Sequence, residues 1–209
     1  MTARDIARLA ALVIERYPEY YKWYSLKEFT FNDITQYNRN KLLWRDESVD
    51  GIKTGHTESA GYCLATSAKK DGMRLITVVL GTASENARAE ASQALLNYGF
   101  RFFETHKLYD AGTQLTTSRI WKGATDSVSL GIDRDLYVTI PRGQYQSLDA
   151  SMSIDNRIVA PISAGQALGT VLVKLGEDVV AEQALVSLQG IGEGSFWQRI
   201  ADEALLYFE

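Results

Sequence analysis

Cysteine and histidine are scarce in this sequence, and positive charge is not in excess. Cys63 is the single cysteine among 209 residues, so the chain cannot form an internal disulfide. Only His56 and His106 accompany it, which argues against a Cys/His zinc site, and we expect no metal and no other cofactor. The formal net charge of −4 argues against nucleic-acid binding through a basic surface.

Long apolar runs are missing near the N-terminus. The longest, Leu9 to Ile14, lies between Arg8 and Glu15 and is too short for the core of a signal peptide or for a membrane-spanning helix. Taken alone, the sequence therefore predicts a cytoplasmic chain with no signal peptide. Its 45% apolar and 23% charged residues are typical of a soluble globular protein with one large domain or two small ones.

Two helices are predicted in residues 1–103. Thr2 is suited to cap the first helix, which ends at Pro18. Ser84 is suited to cap the second, which continues to about Phe103. Apolar residues recur at helical spacing in both segments.

Between these helices the sequence predicts short strands and one irregular loop over residues 37–48. The Asp71-Gly72 dipeptide is typical of a tight turn, so the strands on either side of it should form an antiparallel hairpin. The predicted strands cover residues 29–31, 52–54, 62–68 and 73–80.

Residues 104–193 have a different pattern, in which short strands alternate with turns that contain glycine. This pattern predicts a separate all-β domain, a sandwich or a barrel, with its boundary near residues 104–110. The predicted strands cover residues 114–117, 119–121, 127–130, 136–140, 148–154, 157–161, 167–175 and 179–187. The fold class is therefore α+β, with a small all-β sandwich-like domain after the mixed one.

Residues 194–209 predict a terminal amphipathic helix of about four turns. Its apolar residues recur at helical spacing, and its charged residues fall on other faces. The candidate membrane contacts of this helix are Phe196, Trp197, Ile200, Leu205 and Phe208. Acidic residues outnumber the one basic residue, which is unfavourable next to anionic lipids. Packing of the helix against its own β domain or a partner is thus an equally good interpretation.

A lysine-threonine-glycine triplet, Lys53-Thr54-Gly55, lies in the stretch VDGIKTGHTESAGYC. In acyl-serine enzymes such a triplet lies on a strand beside the catalytic cleft. There the lysine supplies positive charge, the threonine a hydroxyl, and the glycine room for the substrate. An edge strand with an exposed lysine explains the triplet alone equally well.

The serine nucleophile of such an enzyme is not evident in this sequence. The S-x-x-K pattern occurs at Ser67 and the S-x-N pattern at Ser84. A catalytic serine-lysine pair needs a helix, where residues i and i+3 share a face. Ser67 is predicted on a strand, where i and i+3 point to opposite faces, and Ser84 is predicted as a helix cap. We therefore assign neither serine to catalysis.

Longer segments resemble one family. The run VDGIKTGHTESAGYCLATSAKKDGMRLITVVLGTASENARAEASQALLNYGFRFFE is similar to the low-molecular-weight penicillin-binding D-alanyl-D-alanine carboxypeptidases. The run TARDIARLAALVIERYPEYYKWYSLKEFTFNDITQYNRNKLLW resembles the segment that precedes the triplet in that family. WKGATDSVSLGIDRDLYVTIPRG and APISAGQALGTVLV resemble its C-terminal β-rich domain, and the final helix resembles its membrane anchor.

The resemblance implies a role for individual residues. Lys53, Thr54 and Gly55 match the strand beside the substrate, and the backbone N–H of His56 matches a donor of the oxyanion hole. Arg88 matches a position associated with the carboxylate of the terminal D-alanine, and Arg39 matches an arginine near the cleft. For both arginines, a surface position without function is the alternative.

The implied activity is that of a serine-type D-Ala-D-Ala carboxypeptidase of peptidoglycan maturation. Such an enzyme removes the terminal D-alanine of the stem pentapeptide through an acyl-serine intermediate. The implied partners are the peptidoglycan stem peptide, β-lactam antibiotics and the periplasmic face of the inner membrane, but not nucleic acid. A non-catalytic cell-wall binding or scaffolding module is the alternative function. A β-lactamase fits less well because that class lacks the β domain and the tail helix.

The resemblance also implies a division of the chain into three parts. Residues 1–103 match the C-terminal part of a β-lactamase/transpeptidase-like catalytic domain, residues 104–193 the β domain, and residues 194–209 the amphipathic helix. The S-x-x-K and S-x-N elements of the family lie upstream of everything in this sequence. The chain is therefore expected to be inactive alone, and to self-associate through apolar surface that the rest of the catalytic domain would cover.

Overall fold

The computed structural model describes residues 1–207 and divides the chain into two units after Glu104. The predicted α+β fold class is confirmed. The first unit contains the helices α1 (Ala3–Arg16), α2 (Pro18–Tyr21), α3 (Leu42–Arg45) and α4 (Glu85–Phe102). Its strands are β1 (Glu28–Phe31), β2 (Ile34–Tyr37), β3 (Val49–Thr57), β4 (Gly61–Lys70) and β5 (Met73–Thr82).

Both predicted helices of the first unit begin at their expected caps. The Thr2 side chain accepts a hydrogen bond from the N–H of Asp5, and the Asp5 carboxylate accepts one from the N–H of Thr2. This reciprocal capping box begins α1. The Ser84 hydroxyl accepts a hydrogen bond from the N–H of Ala87 at 3.1 Å and begins α4.

The strands β3, β4 and β5 form an antiparallel sheet in that order. The predicted hairpin is confirmed, and Asp71 and Gly72 form its turn with positive φ values of 50° and 81°. Leu64 and Ala68 of β4 pack in one core cluster with residues of α4. Ala65 points to the opposite face and packs near α1, because successive side chains of a strand alternate. The sheet thus has a helix on each face.

The predicted loop over residues 37–48 is wrong in part. Leu42 and Leu43 are buried, and packing against the sheet cluster stabilises the single helical turn α3. The strand β2 was not predicted. It pairs with β1, and the turn between them is formed by Asn32 and Asp33, both with positive φ. Two such residues between apolar ones are typical of a tight hairpin turn.

The second unit is built mainly from strands. The elements are β6 (Phe103–Tyr109), β7 (Gln114–Arg119), β8 (Ser127–Gly131), β9 (Leu136–Pro141), β10 (Leu148–Ile154), β11 (Ala167–Leu175), β12 (Asp178–Ser187) and the helix α5 (Phe196–Leu206). Five strands form one sheet in the order β10-β11-β12-β8-β7, and β6 pairs with β9. Aliphatic side chains from both sheets, Val128 and Val138 among them, form a single buried core.

Two predicted strands of this unit do not form as such. Arg119 ends β7, and Trp121 makes only an isolated bridge to Val159. Lys122 has a φ of 58°, which takes the chain out of the extended conformation directly after Trp121. The predicted strand over residues 157–161 ends at a proline, which has no N–H for a ladder. The strand β6 was not predicted from the sequence.

The terminal helix is confirmed but is shorter than predicted. Ser195 caps it in a reciprocal capping box with Gln198, and α5 ends at Leu206, after 11 residues. None of the helices formed by residues 1–207 has the length and apolar content needed to cross a membrane.

Candidate active site

The lysine-threonine-glycine triplet lies on β3. This strand is paired along its length with β4, and the register places Lys53 opposite Ala65 and Gly55 opposite Cys63. Within the described sheet β3 is an edge strand. Its outer backbone edge can therefore pair with an extended peptide, which is a common way of binding peptide ligands.

The start of β3 is fixed by a polar network. The Asp50 carboxylate accepts a hydrogen bond from the Tyr21 hydroxyl at 2.7 Å and forms an ion pair with Arg74 at 2.8 Å. The Nδ2 of buried Asn40 donates a hydrogen bond to the carbonyl of Gly51 at 3.0 Å. Burial raises the pKa of Tyr21, so its hydroxyl remains a neutral donor.

The Tyr21 hydroxyl also requires a glycine at position 51. A Cβ atom on Gly51 would lie 2.7 Å from the hydroxyl oxygen, which is closer than normal van der Waals contact. This close approach and the polar network fix β3 at Asp50 and Gly51, just before the triplet that begins at Lys53. The strand is thus positioned by contacts at its base.

A pocket of about 240 Å³ lies at the other end of β3. We call it the arginine pocket. It is lined by Arg39, Thr54, Gly55, His56, Tyr62, Glu85 and Arg88. Five residues that the sequence analysis singled out, the two arginines and Thr54 to His56, are thereby brought together.

Arg88 is buried, with 3% of its surface exposed, so it is not a surface arginine. Its Nη1 donates a hydrogen bond to the carbonyl of Gly55 at 3.2 Å, and its guanidinium lies 5.5 Å from the centre of the Tyr62 ring. Its Nη2 lies 3.8 Å from the Glu85 carboxylate. A buried cation needs such partners, because removal from water destabilises an unpaired charge.

The side chains of His56 and Lys53 make different contacts. The His56 ring lies over Tyr62, its register partner, with 4.0 Å between ring centres. The exposed Lys53 side chain lies outside the arginine pocket, and its Nζ donates a hydrogen bond to the carbonyl of Thr54 at 2.8 Å. The structure therefore groups Thr54, Gly55 and His56 with the arginines, but not the side chain of Lys53.

The two serine patterns lie on the backbone elements that the sequence predicted. Ser67 is buried on β4, and its hydroxyl accepts a hydrogen bond from Arg74 at 2.5 Å. Ser84 is the cap of α4. Neither serine therefore occupies the helical position that a serine-lysine pair requires.

Several residues of the site were missed by the sequence analysis. Glu85 is three residues before Arg88 on α4, and this helical spacing could have indicated their contact. Tyr62 could have been found from the register of β3 and β4. The contacts of Tyr21 and Asn40 with the base of β3 join distant segments, and no local pattern indicates them.

The tail helix α5 uses its polar side for contacts with the second unit. The Asp202 carboxylate accepts a hydrogen bond from the backbone N–H of Lys122 at 2.5 Å, and Glu203 forms an ion pair with the Lys122 ammonium. The apolar candidates remain exposed: Phe196, Trp197 (76%), Ile200 and Leu205. Phe208, the fifth candidate, lies outside the described residues.

Comparison with known proteins gives two family matches. Residues 1–84 match the family described as D-alanyl-D-alanine carboxypeptidase, and residues 103–193 match the one described as penicillin-binding protein 5, C-terminal domain. The second match covers the strands of the second unit, and the first ends at the cap of α4.

Curated relatives and a solved structure agree with these matches. The chain is 43% identical over 209 residues to D-alanyl-D-alanine carboxypeptidase DacA of Escherichia coli (strain K12), covering 99% of this chain and 52% of the relative. It is 42% identical to DacC of the same strain, with the same coverage. The structure of penicillin binding protein 5 from Haemophilus influenzae has a TM-score of 0.82 and 42% identity, covering 92% of this chain and 57% of that chain.

The chain thus spans about half the length of the curated relatives that it matches. The matches extend over both units, and they include the strand with the triplet and the β domain. This chain belongs to the low-molecular-weight penicillin-binding D-alanyl-D-alanine carboxypeptidase family, and it corresponds to the C-terminal part of such a protein.

Proposed function

We propose that this chain supplies one wall of a serine-type D-Ala-D-Ala carboxypeptidase site that acts on the peptidoglycan stem pentapeptide. The arginine pocket at the end of an edge strand is the observation that carries this proposal. A peptide ending in D-Ala-D-Ala has an extended backbone and one terminal carboxylate. The edge of β3 suits the backbone, and Arg88 and Arg39 suit the carboxylate.

Each residue of the wall has a distinct task in this proposal. Gly55 leaves room for the substrate backbone, and the N–H of His56 stabilises the negative charge that develops on the attacked carbonyl oxygen. Lys53 supplies positive charge beside the reacting centre. The guanidinium groups fix the terminal D-alanine, so that its peptide bond lies next to β3.

The reaction itself requires a serine hydroxyl, which attacks the carbonyl and releases D-alanine before water hydrolyses the acyl-serine ester. The one S-x-x-K pattern of the sequence is on β4, so the helices of residues 1–207 contain no such serine-lysine pair. We therefore propose that residues 1–209 alone form no acyl-enzyme with a β-lactam or with substrate, although they bind the carboxylate of a D-Ala-D-Ala peptide weakly.

Fluorescent penicillin tests this proposal. Residues 1–209 would replace the matching segment of the E. coli DacA relative, and both the chimera and the free chain would be incubated with the label. We expect covalent labelling of the chimera, loss of labelling with Lys53→Ala in the chimera, and no labelling of the free chain. Stable labelling of the free chain would instead make Ser67 a candidate nucleophile. An unlabelled, folded chimera whose residues 1–209 still bind isolated cell walls would favour the scaffolding function.

We further propose that residues 1–103 form the catalytic part, residues 104–193 the β domain, and residues 194–209 a helix that lies on the periplasmic face of the inner membrane. The contacts of Asp202 and Glu203 with Lys122 support the last point. They pair the acidic side chains within the second unit, so the apolar side of α5 can meet lipid without their full negative charge.

Self-association of the chain is proposed on the exposed apolar surface of the first unit. The side chains of β1 and β2 expose one apolar face, formed by Phe29, Phe31 and Ile34. An isolated two-stranded hairpin is marginally stable in water, and contiguous exposed apolar surface favours association.

A further inference from the structure

Glu85 places a negative charge in the pocket that is proposed to bind a carboxylate. It is the first residue of α4, and it lines the arginine pocket together with Arg88. Its Oε1 lies 3.8 Å from Nη2 of Arg88, and its Oε2 lies 3.2 Å from Nζ of Lys41. The Lys41 ammonium also donates a hydrogen bond to the side chain of Asn86 at 3.1 Å. Glu85 is thus held between two cations.

The two guanidinium nitrogens of Arg88 have different partners. Nη1 donates to the carbonyl of Gly55, and Nη2 faces the Glu85 carboxylate. A ligand carboxylate that approaches Arg88 through the pocket therefore meets a second carboxylate at the same nitrogen. The ligand carboxylate and the Glu85 carboxylate carry like charges and repel each other, and the ion pair between Glu85 and Lys41 reduces this repulsion.

We propose that Glu85 determines the specificity of the arginine pocket by competing with the ligand carboxylate for Arg88. A ligand with a terminal carboxylate displaces Glu85 from Arg88 towards Lys41. The free energy of this displacement lowers the affinity of the ligand for the pocket. A ligand with an uncharged terminus, such as a C-terminal amide, meets no such competition. This inference rests on the proposed function, because it assumes that the pocket receives the terminal D-alanine.

The expected effect is modest. The side chains of Glu85 and Lys41 are 47% and 42% exposed, so water and salt screen their charges. Exposed ion pairs of this kind change a dissociation constant by about two- to fivefold. The effect should therefore appear as a difference between two ligands, and it should shrink at high salt.

The experiment measures binding to residues 1–209 by NMR titration, following the amide signals of Thr54 to His56. The probes are N-acetyl-D-alanyl-D-alanine and its C-terminal amide. The variant is Glu85→Gln, which keeps the shape of the side chain and removes its charge. The matched control is Glu90→Gln, which removes the same charge from an exposed position of α4 that lines a different cavity.

We expect Glu85→Gln to lower the dissociation constant of the carboxylate dipeptide by about two- to fivefold and to leave that of the amide unchanged. Glu90→Gln should change neither. A role of Glu85 limited to the start of the helix would alter thermal stability without separating the two ligands.

Two other results would overturn the inference. Glu85→Gln could leave the binding of the carboxylate dipeptide unchanged while the wild-type chain still binds it in an Arg88-dependent manner. Glu85→Gln could also tighten both ligands equally, or by no more than Glu90→Gln does. Failure of the wild-type chain and all variants to bind either dipeptide has a different meaning, since it overturns the proposed function and the inference with it.

Discussion

Arg88 of α4 and Gly55 of β3 are joined by a hydrogen bond of 3.2 Å between a guanidinium nitrogen and a backbone carbonyl. This bond crosses from the helix to the end of the strand that carries the triplet. It fixes the buried charge of Arg88 beside the backbone that is proposed to pair with the substrate. Arg88 thus connects the two elements that form the arginine pocket.

The first prediction concerns Arg88 itself. Arg88→Met keeps much of the side-chain volume but removes the charge and the bond to Gly55. We expect the loss of detectable binding of N-acetyl-D-alanyl-D-alanine and a lower free energy of unfolding, by about 1–3 kcal/mol. Arg8→Met, at an exposed position of α1, is the control and should change neither. Binding that persists in a folded Arg88→Met variant would contradict the assigned role.

The second prediction tests the base of β3. Gly51→Ala places a methyl group 2.7 Å from the Tyr21 hydroxyl, so we expect destabilisation by about 1–3 kcal/mol in denaturant unfolding. Tyr21→Phe removes the atom that clashes, and the double variant should therefore recover part of the loss. Gly192→Ala is the control, because a Cβ at that glycine meets nothing within 4 Å. Additive effects of the two substitutions would argue against the contact.

The third prediction is a pH dependence. Burial would raise the pKa of Asp46, but hydrogen bonds from Ser48 and Gln93 outweigh it and hold the pKa below its ordinary value of 3.8. A lowered pKa in the folded state stabilises the protein above the unfolded-state value, and this stabilisation is lost as the pH falls through the folded-state pKa. Asp46→Asn should therefore lower the unfolding free energy at pH 7, and the difference from wild type should vanish in acid. A difference that is constant with pH would contradict this origin.

The fourth prediction concerns α5 and lipid. Trp197 is the most exposed of the four described apolar candidates of α5. Trp197→Ser removes this side chain and should therefore reduce flotation with lipid vesicles. Deletion of residues 194–209 should abolish flotation. Val179→Ser removes an exposed apolar side chain from β12 and should have no effect. Equal flotation of the full chain and the deletion variant would show that the helix binds no membrane.

The fifth prediction concerns self-association through β1 and β2. Light scattering should show a concentration-dependent increase in mass for the wild-type chain. Phe31 is 67% exposed, so the double variant Phe31→Ser, Ile34→Ser should shift the chain towards the monomer without unfolding it. Met152→Ser, on the second unit, is the control. A wild-type chain that stays monomeric at every concentration would rule out this surface as an interface.

The sequence predicted the elements whose signals are local. Thr2 and Ser84 cap the helices because their hydroxyls satisfy backbone groups only three residues away. The strand pattern of β4 and the Asp71-Gly72 turn determine the hairpin that β4 forms with β5. The resemblance to the family brought Arg39 and Arg88 into the same hypothesis as the triplet, and the structure places them around one pocket.

Tertiary contacts determined what the sequence could not predict. α3 forms because Leu42 and Leu43 are buried against the sheet, which overrides the polar, loop-like composition around them. The network at Asp50 joins Tyr21 and Arg74, which lie far apart in the sequence. Helical spacing relates Glu85 to Arg88, but only the packing of α4 beside the end of β3 brings Glu85 into the lining of the pocket.

The Tyr62 ring lies against the His56 ring and is also close to the Arg88 guanidinium. An aromatic ring shifts the magnetic resonance of nuclei above its face, so the His56 ring protons report the position of Tyr62 without any added label. A ligand that moves Arg88 or separates the two rings would change these signals directly. This pair of rings is therefore a native spectroscopic probe of occupancy, located in the wall of the pocket that it monitors.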